Sequence, residues 1–369
     1  MMFLAIRELK HSKLRYLLIG LIMVLVALLV FIISGLANGL SSDNASSIQN
    51  MKADYFVMEH DSKNKLNRSI ISMGKLDEIR AISDVKAAEG LGQMMITLNK
   101  IGSSEKTDVT IFATDASGIL ARKVIEGTSY DNKKQGEVVA DRSLKEVGYK
   151  LGDSLKDDLS GKVFTIVGFT EKQSYSHTPA VYMNVKGWQE INPGLKNQGK
   201  DSISAIAVQM DSKSEENVRE SLPEGVTLIS KEESLQSIPG FKEEQGTLTM
   251  MIAFLFVIAA FVLAVFFYVI TLQKTNQFGV LKALGANTGY LAKSIVGQVM
   301  LLAVTCIAIS VALTYGVTLI MPEGMPFELS ADLVIKYSVL LLAVSVLGSL
   351  LSLYRVAKID AIEAIGRVS

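Results

Sequence analysis

The sequence predicts an α-helical membrane protein with four transmembrane helices and a large extracellular α/β domain. Of its 369 residues, 49% are hydrophobic and 20% are charged, and the hydrophobic residues are concentrated in four runs. Each run has about the 20 residues that a helix needs to cross the hydrocarbon core of a bilayer. One long hydrophilic segment, residues 41–246, lies between the first run and the second.

The four predicted transmembrane helices cover residues 17–37, 248–272, 295–321 and 334–354. Lys336 is the one charged residue inside these ranges, and it lies near the start of the fourth, where a long side chain can reach the membrane surface. A removable signal peptide is the alternative for the first run. That run is too long for the apolar region of a signal peptide, and no small-residue cleavage site follows it.

The distribution of lysine and arginine predicts the orientation in the cell membrane, because cytoplasmic flanks are enriched in these residues. Basic residues dominate the N-terminal helix (residues 1–16), loop 273–294 and the tail (residues 355–369). The short loop between the third and fourth spans is acidic, with Glu323, Glu328 and Asp332. Both termini and loop 273–294 are therefore predicted to be cytoplasmic, and residues 41–246 extracellular.

The predicted extracellular segment alternates short apolar runs with helical patterns, which favours an α/β domain. Residues 41–50 and 232–245 are rich in polar residues and are predicted to be connectors to the membrane. Strands are expected at Tyr55–Glu59, Val109–Ala113, Val163–Phe169 and Ala205–Met210, and helices at Lys75–Ile82, Arg142–Gly148 and Ser214–Ser221.

The sequence contains no motif for catalysis. Its histidines, His11, His60 and His177, are far apart, and its single cysteine, Cys306, lies in an apolar run, so neither a metal-binding pair nor a disulfide is predicted. No phosphate-binding loop and no nucleophile elbow occur. We therefore expect a non-enzymatic protein with no intrinsic cofactor, no metal and no nucleic-acid partner.

Loop 273–294 is longer than a simple connector between two spans would be. Phe278, Leu281 and Leu284 recur at helical spacing among basic residues, and Gly285 is placed to end the helix. One interpretation is an interfacial anchor on anionic membrane lipid. The other is a coupling helix that docks into a cytoplasmic partner.

Three segments resemble the FtsX/MacB-type permeases of ABC transporters. FGVLKALGA at 278–286 is similar to a conserved loop segment of that family, FLAIRELKHSKLRYLL at 3–18 to its N-terminal helix, and RVAKIDAIEAI at 355–365 to its closing segment. Ala361 stands where the family usually has proline. VVADRSLKEVGYKLGDSL at 138–155 is also similar to a recurrent stretch of the family.

The resemblance implies a homodimer that binds two copies of a separate cytoplasmic ATP-binding subunit, with ATP bound by that subunit. It also implies that Phe278, Gly279, Leu281, Leu284 and Gly285 form the coupling site, through which closure of the ATP-binding subunits moves the outer domains (mechanotransmission). The alternative within the same family is a non-transporting regulator of a cell-wall hydrolase. The division-type relatives of that kind carry a much shorter outer domain.

Three further segments resemble the hemin-exporting permeases of Gram-positive bacteria: ADYFVMEHDSKNKLNRSI at 53–70, YSHTPAVYMN at 175–184 and IPGFKEEQGTLTMM at 238–251. Phe241 departs from this pattern, where tyrosine is expected more often. The resemblance makes hemin the expected substrate, with peptide antibiotics and lipids as alternatives.

Methionine at the outer start of the second span suggests where hemin would bind, since a thioether is an axial ligand of heme iron. The candidate substrate-binding residues are Met250 and Met251, of which at most one faces a dimer seam because adjacent helical residues point about 100° apart. A second ligand or a propionate partner would come from either of two pairs in the outer domain: Glu59 and His60, or Tyr175 and His177.

The orientation predicts the labelling of introduced cysteines. In intact cells, Lys100→Cys and Lys200→Cys should react with a membrane-impermeant maleimide, because both positions are predicted to be extracellular. Asn287→Cys should react only after the cells are opened. Labelling of Asn287→Cys from outside intact cells would overturn the orientation.

Overall fold

A computed structural model describes residues 13–101, 106–192, 201–273, 275–322 and 325–357. Most of the predicted N-terminal helix (residues 1–12) and most of the tail (residues 358–369) lie outside these ranges. The chain divides into two compact units, a membrane unit of Met1–Gly39 with Gly246–Ser369 and an outer unit of Leu40–Gln245.

Ten α-helices are found in the described residues, and four of them are long and apolar enough to cross a membrane. These four are α1, α7, α9 and α10, which confirms the predicted fold class. In chain order the helices are α1 (Lys13–Gln49), α2 (Gly74–Arg80), α3 (Ser143–Glu146), α4 (Val185–Ile191), α5 (Glu215–Glu220), α6 (Lys231–Gln236), α7 (Phe241–Gln273), α8 (Thr275–Ala283), α9 (Thr288–Thr318) and α10 (Ala331–Ala357).

The strands of the described residues all belong to the outer unit. In chain order they are β1 (Tyr55–Glu59), β2 (Ile71–Ser72), β3 (Ala87–Lys100), β4 (Lys106–Ala113), β5 (Glu126–Gly127), β6 (Glu137–Asp141), β7 (Ser154–Asp157), β8 (Val163–Thr170), β9 (Ser174–Tyr175), β10 (Thr178–Met183), β11 (Ser202–Ile203), β12 (Ala205–Gln209) and β13 (Val226–Ser230).

One large mixed sheet organises the outer unit, with strand order β13-β1-β12-β3-β4-β10-β6-β8-β5. Both of its faces are buried, because alternate residues of one strand enter different core clusters. Phe112 on β4 packs with Phe56 and Tyr182 on one face, whereas its neighbour Ile111 packs with Trp188 on the other. Burial on both faces explains why these strands appear as continuous apolar runs in the sequence.

The predicted strands of the outer domain are found with small shifts at their ends, and β1 has the predicted bounds. The 14-residue strand β3 was not predicted, because Gly90 and Gly92 interrupt its pattern. Gly92 is required by tertiary packing, since a Cβ atom there would lie 2.6 Å from the Trp188 ring. A close approach of this kind cannot be read from the local sequence.

The two predicted connectors are helical, and these predictions were wrong. Residues 41–49 belong to α1, because Ala45 and Ile48 are fully buried in the core of the outer unit and override the weak helix propensity of the surrounding serines. Most of residues 232–245 lies in α6 and in the first turn of α7. Ser230 and Glu233 form a reciprocal capping box that starts α6.

The membrane unit is held together by apolar side chains from all four long helices. Hydroxyl groups inside these helices donate to backbone carbonyls, as Ser310 Oγ does to Cys306 O (2.8 Å) and to Val24 O (3.0 Å) on α1. The main apolar contacts bring together Ile19, Met23, Ala27 and Phe31 of α1 with Leu255, Leu263 and Phe267 of α7, Val299 and Ile307 of α9, and Leu341 of α10.

Small residues of α1 allow the segment before α10 to pack closely against it. A Cβ atom on Gly39 would lie 2.2 Å from the carbonyl oxygen of Pro326, so only glycine fits there. Two hydrogen bonds hold the same approach, from Glu328 N–H to Gly35 O (3.0 Å) and from Asn38 Nδ2 to Glu328 O (3.1 Å).

This contact predicts that Gly39→Ala destabilises the membrane unit. Displacing a packed backbone should cost about 1–3 kcal/mol and lower the melting temperature by several degrees, at about 2–4 °C per kcal/mol. A thiol-reactive fluorophore can report unfolding of the purified protein, because the single cysteine, Cys306, is buried in this unit.

Gly297→Ala in α9 is the matched control, since a Cβ atom there meets nothing within 4 Å. This control should melt at the wild-type temperature or slightly above it, because alanine is favoured over glycine in a helix by about 1 kcal/mol. Equal melting temperatures for Gly39→Ala and wild type would contradict the close packing of Gly39.

Candidate functional site

The predicted coupling segment contains one short helix, α8, between two long ones. The helix ends in a Schellman motif, in which the N–H of Ala286 donates to Leu281 O (2.9 Å) and the N–H of Gly285 donates to Lys282 O (3.0 Å). Gly285 has a φ of +90°, a left-handed conformation that glycine adopts without strain. Asn287 then caps α9 through the N–H of Gly289.

The apolar side chains at the C-terminal end of α8, and that of Leu284 directly after it, are exposed on the described membrane unit. The side chains of Leu281 and Leu284 are 39% and 80% exposed, and Val280 is 50% exposed, whereas Gly279 is buried. The side chain of Phe278 lies outside the described residues. An exposed leucine pair on a short, sharply capped helix can bind a partner protein or a lipid surface.

Met250 and Met251 lie in α7, within the membrane unit. Their side chains are 57% and 41% exposed, so both thioethers are accessible from outside this unit. A methionine in this state is free to bind a soft metal ion or to contact lipid. No cluster of three metal-binding side chains occurs among the residues that the structure describes.

Glu59 and His60 lie together at the end of β1. The Glu59 carboxylate accepts from the N–H of Ile70 (3.3 Å), and the N–H of Glu59 donates to Ser69 Oγ (3.0 Å). His60 starts a short 3₁₀ turn, and its side chain is exposed. The carboxylate is therefore partly engaged in holding the 69–70 segment, whereas the imidazole is accessible.

Tyr175 ends β9, and His177 lies in the turn between β9 and β10. The surroundings of the two side chains differ. Tyr175 is buried and packs edge-on against Phe112, with ring centroids 5.7 Å apart, and burial raises the pKa of its hydroxyl above the usual value. His177 is exposed, and its Nδ1 lies 2.7 Å from the Asp43 carboxylate and its Nε2 3.5 Å from the Glu244 carboxylate. Sequence reasoning missed both acidic partners of His177.

The sheet separates the two candidate pairs of the outer unit. Three strands, β12, β3 and β4, lie between β1, which carries Glu59, and β10, which follows His177. At about 4.8 Å per strand, these positions are roughly 19 Å apart across the sheet. The structure therefore brings together Glu59 with His60 and, separately, Tyr175 with His177, but does not join the two pairs.

A cavity of about 310 Å³ in the outer unit was also missed by sequence reasoning. Glu89 lies in its wall, where its carboxylate accepts from the N–H groups of Asp115 (2.8 Å) and Leu120 (2.9 Å). Burial raises the pKa of Glu89, and these two hydrogen bonds oppose the shift. The carboxylate thus fixes the 115–120 loop.

The fold and the candidate sites define a class of protein, a multi-pass membrane protein with one outer α/β domain inserted after its first span. Two family profiles match this arrangement. Residues 17–224 match the MacB-like periplasmic core domain, and residues 249–361 match the FtsX-like permease C-terminal family. The chain belongs to the MacB/FtsX-like family of ABC transporter permeases, as its sequence motifs predict.

Curated relatives align over nearly the whole chain. A proposed hemin transport system permease, HrtB, of Staphylococcus haemolyticus is 31% identical over 99% of both chains. The corresponding HrtB protein of Staphylococcus epidermidis strain ATCC 12228 is 30% identical over the same shares. A functionally uncharacterised ABC transporter permease of Mycobacterium tuberculosis is 23% identical, again over 99% of both chains.

Solved structures of outer domains overlap with part of this chain. The periplasmic region of MacB from Actinobacillus actinomycetemcomitans is 12% identical, with a TM-score of 0.37, and the overlap covers 51% of this chain and 95% of that one. A similarity of this size carries no detail of a site from that structure to this chain.

Proposed function

We propose that this permease couples ATP hydrolysis by a separate cytoplasmic subunit to the export of an amphiphilic substrate, hemin. The observation that carries the proposal is the 31% identity to the HrtB protein of Staphylococcus haemolyticus over 99% of both chains. That relative is named for hemin transport, and its alignment extends through both the membrane unit and the outer unit. The permease itself supplies no ATPase activity in this scheme.

In this scheme α8 is the coupling helix, and it lies on the cytoplasmic side together with both chain termini. Its exposed leucines, Leu281 and Leu284, insert into the ATP-binding subunit, and each of two such subunits contacts one copy of the permease. The Schellman motif at Gly285 supports this role, because it fixes the direction of the chain between α8 and α9. A displacement of α8 is then passed directly to α9.

Two copies of the permease associate through an exposed face of α7. Large apolar side chains recur there at intervals of three or four residues and are 37–74% exposed, a pattern that forms one continuous stripe. Lipid covers the other exposed faces of the four long helices. The stripe consists of Met250, Phe254, Val257, Phe261, Val265 and Tyr268.

Leu281→Asp and Gly285→Pro should uncouple the permease from its ATPase. A carboxylate buried in the docking site, or a proline at a φ of +90°, should cost about 3 kcal/mol and reduce hemin-stimulated ATP hydrolysis by the reconstituted complex at least tenfold. Size-exclusion chromatography should show unchanged insertion and assembly of the permease alone.

Ala283→Asp is the control for this measurement, because Ala283 is exposed on the same helix, about 160° around from Leu281. This variant introduces the same charge and should retain coupling. If Leu281→Asp and Gly285→Pro also retain coupling, α8 serves only as a lipid anchor.

The proposed hemin site is at the outer start of the second predicted span, in the third turn of α7. The porphyrin ring lies at the depth of the outer leaflet, and one of the two thioethers, Met250 or Met251, ligates the iron. The exposure of both side chains supports this assignment. Among the candidate residues of the outer unit, His60 has the accessible side chain, because Tyr175 is buried and His177 already lies against two carboxylates.

Hemin added to the purified protein should give a Soret band that shifts or disappears in Met250→Ala or Met251→Ala. Replacing a thioether ligand changes the coordination of the iron and therefore the absorption of the porphyrin. Glu59→Ala should alter the affinity, if the carboxylate acts as a partner to the bound hemin.

Met300→Ala is the matched control, because Met300 is also an exposed methionine, 39% accessible, but lies in α9. Its Soret band should equal that of wild type. Identical spectra in Met250→Ala, Met251→Ala and Glu59→Ala would remove these residues from the site. Sensitivity of a deletion strain to bacitracin-like peptides but not to hemin would point to a peptide substrate.

A further inference from the structure

Three ionisable side chains, two acids and one histidine, meet where two long helices enter the outer unit. Asp43 belongs to the last turns of α1, Glu244 to the first turn of α7, and His177 to the turn between β9 and β10. All three lie within the outer unit, Leu40–Gln245. The imidazole bridges the helices, with Nδ1 2.7 Å from Asp43 Oδ2 and Nε2 3.5 Å from Glu244 Oε2.

The protonation state of the imidazole decides how many of these contacts it can make. A neutral imidazole has one N–H donor, whereas the imidazolium has two. Carboxylates face both ring nitrogens, Asp43 from α1 and Glu244 from α7, and each can only accept while it is ionised. Glu244 Oε2 also accepts from Asn44 Nδ2 (2.7 Å), which holds that oxygen in place. The bridge is therefore complete only when His177 is charged.

The turn that carries His177 is the two-residue loop of the β9–β10 hairpin, a connection that commonly places both of its residues in the left-handed region. Ser176 and His177 have φ values of +49° and +60°. The turn is tied to α1 through two hydrogen bonds, from Ser176 N–H to Asn44 O (2.7 Å) and from Ser174 N–H to Ser46 Oγ (2.9 Å). These two hydrogen bonds hold the turn, and therefore the imidazole of His177, beside α1.

We propose that Asp43, His177 and Glu244 form a proton-dependent clasp that locks α1 and α7 to the β9–β10 hairpin. Protonation of His177 closes the clasp, so that a displacement of either helix moves the hairpin. Loss of the proton releases the contact with Glu244 and weakens the contact with Asp43, which loses its charge assistance, so that neither helix stays locked to the hairpin. The clasp deepens the proposed function, because it rests on the two helices carrying motion between the ATPase and the outer domain.

Hydrogen exchange of the full-length protein in lipid nanodiscs can test the clasp. The amides of Ser174 and Ser176 donate to α1, so they report whether the hairpin is locked to it. Protection factors, which remove the intrinsic pH dependence of exchange, should be about threefold higher at pH 5.5 than at pH 8, as expected for a partly exposed ion pair. Histidine is the side chain that ordinarily changes charge over this range.

The variants His177→Gln and Glu244→Gln separate the clasp from general stability. His177→Gln should remove the pH difference in protection, whereas Glu244→Gln, which keeps the contact with Asp43, should reduce it. His60→Gln is the matched control, because it also removes one exposed histidine of the outer unit, and it should preserve the pH difference at Ser174 and Ser176.

An equal pH difference in wild type and in His177→Gln would overturn the clasp. Because exchange is measured without substrate, this outcome does not depend on whether hemin is transported. A protein that exports hemin but shows no pH-dependent protection would keep the proposed function and lose the clasp. A protein with the protection but without hemin transport would do the reverse.

Discussion

Lipid hydrocarbon offers no hydrogen-bond partner, so every backbone amide within a bilayer must be satisfied inside the protein. The four long helices meet this constraint, and several of their hydroxyl groups are satisfied in the same way. Thr271 and Ser345, both buried, donate to the carbonyls four residues earlier (2.7 and 2.8 Å). Because these hydroxyl groups donate within their own helices, packing between helices depends on close contact at small residues. At Gly348, for example, a Cβ atom would lie 3.3 Å from the backbone of Ala264.

Helix length connects this membrane architecture to the outer unit. Helices α1 and α7 have 37 and 33 residues, which correspond to about 55 and 50 Å at 1.5 Å per residue. A hydrocarbon core of about 30 Å accounts for little more than half of this length. The remaining turns contribute Ala45, Ile48 and Phe241 to a core cluster of the outer unit. Arg122 completes the end of α1 by donating to the carbonyls of Ser47 (2.8 Å) and Asn50 (2.7 Å).

The features that could be predicted from the sequence are those that local chemistry determines. The spans follow from the length of apolar runs, β1 from its apolar residues, and the end of α8 from Gly285. The short helix α8 follows from the same reasoning, whereas its coupling role and the role of Met250 and Met251 stay predictions. The long strand β3 was missed because Gly92 is explained only by the Trp188 ring, which lies 96 residues later in the sequence.

The partners of His177 could not be predicted for a similar reason. Asp43 precedes His177 by 134 residues, and Glu244 follows it by 67. Each acid lies in a polar segment that reads as a connector, and only the continuation of both helices into the outer unit brings the three side chains together. The sequence gives the residue types, but it does not indicate that two helix ends and one hairpin are in contact in the fold.

The packing of the outer unit limits which of the candidate residues could serve the proposed hemin site. Tyr175 and Phe241 belong to the same core cluster, so moving the tyrosine hydroxyl to a ligand would open that core, and Phe241 has no hydroxyl to offer. A buried aromatic core and an engaged histidine suit a domain that transmits motion. The exposed thioethers of Met250 and Met251, in the third turn of α7, suit binding of an amphiphile from the membrane. In the proposed mechanism, two tasks are therefore carried out by different residues of α7. Met250 or Met251 binds the substrate, and Glu244 transmits motion to the outer unit.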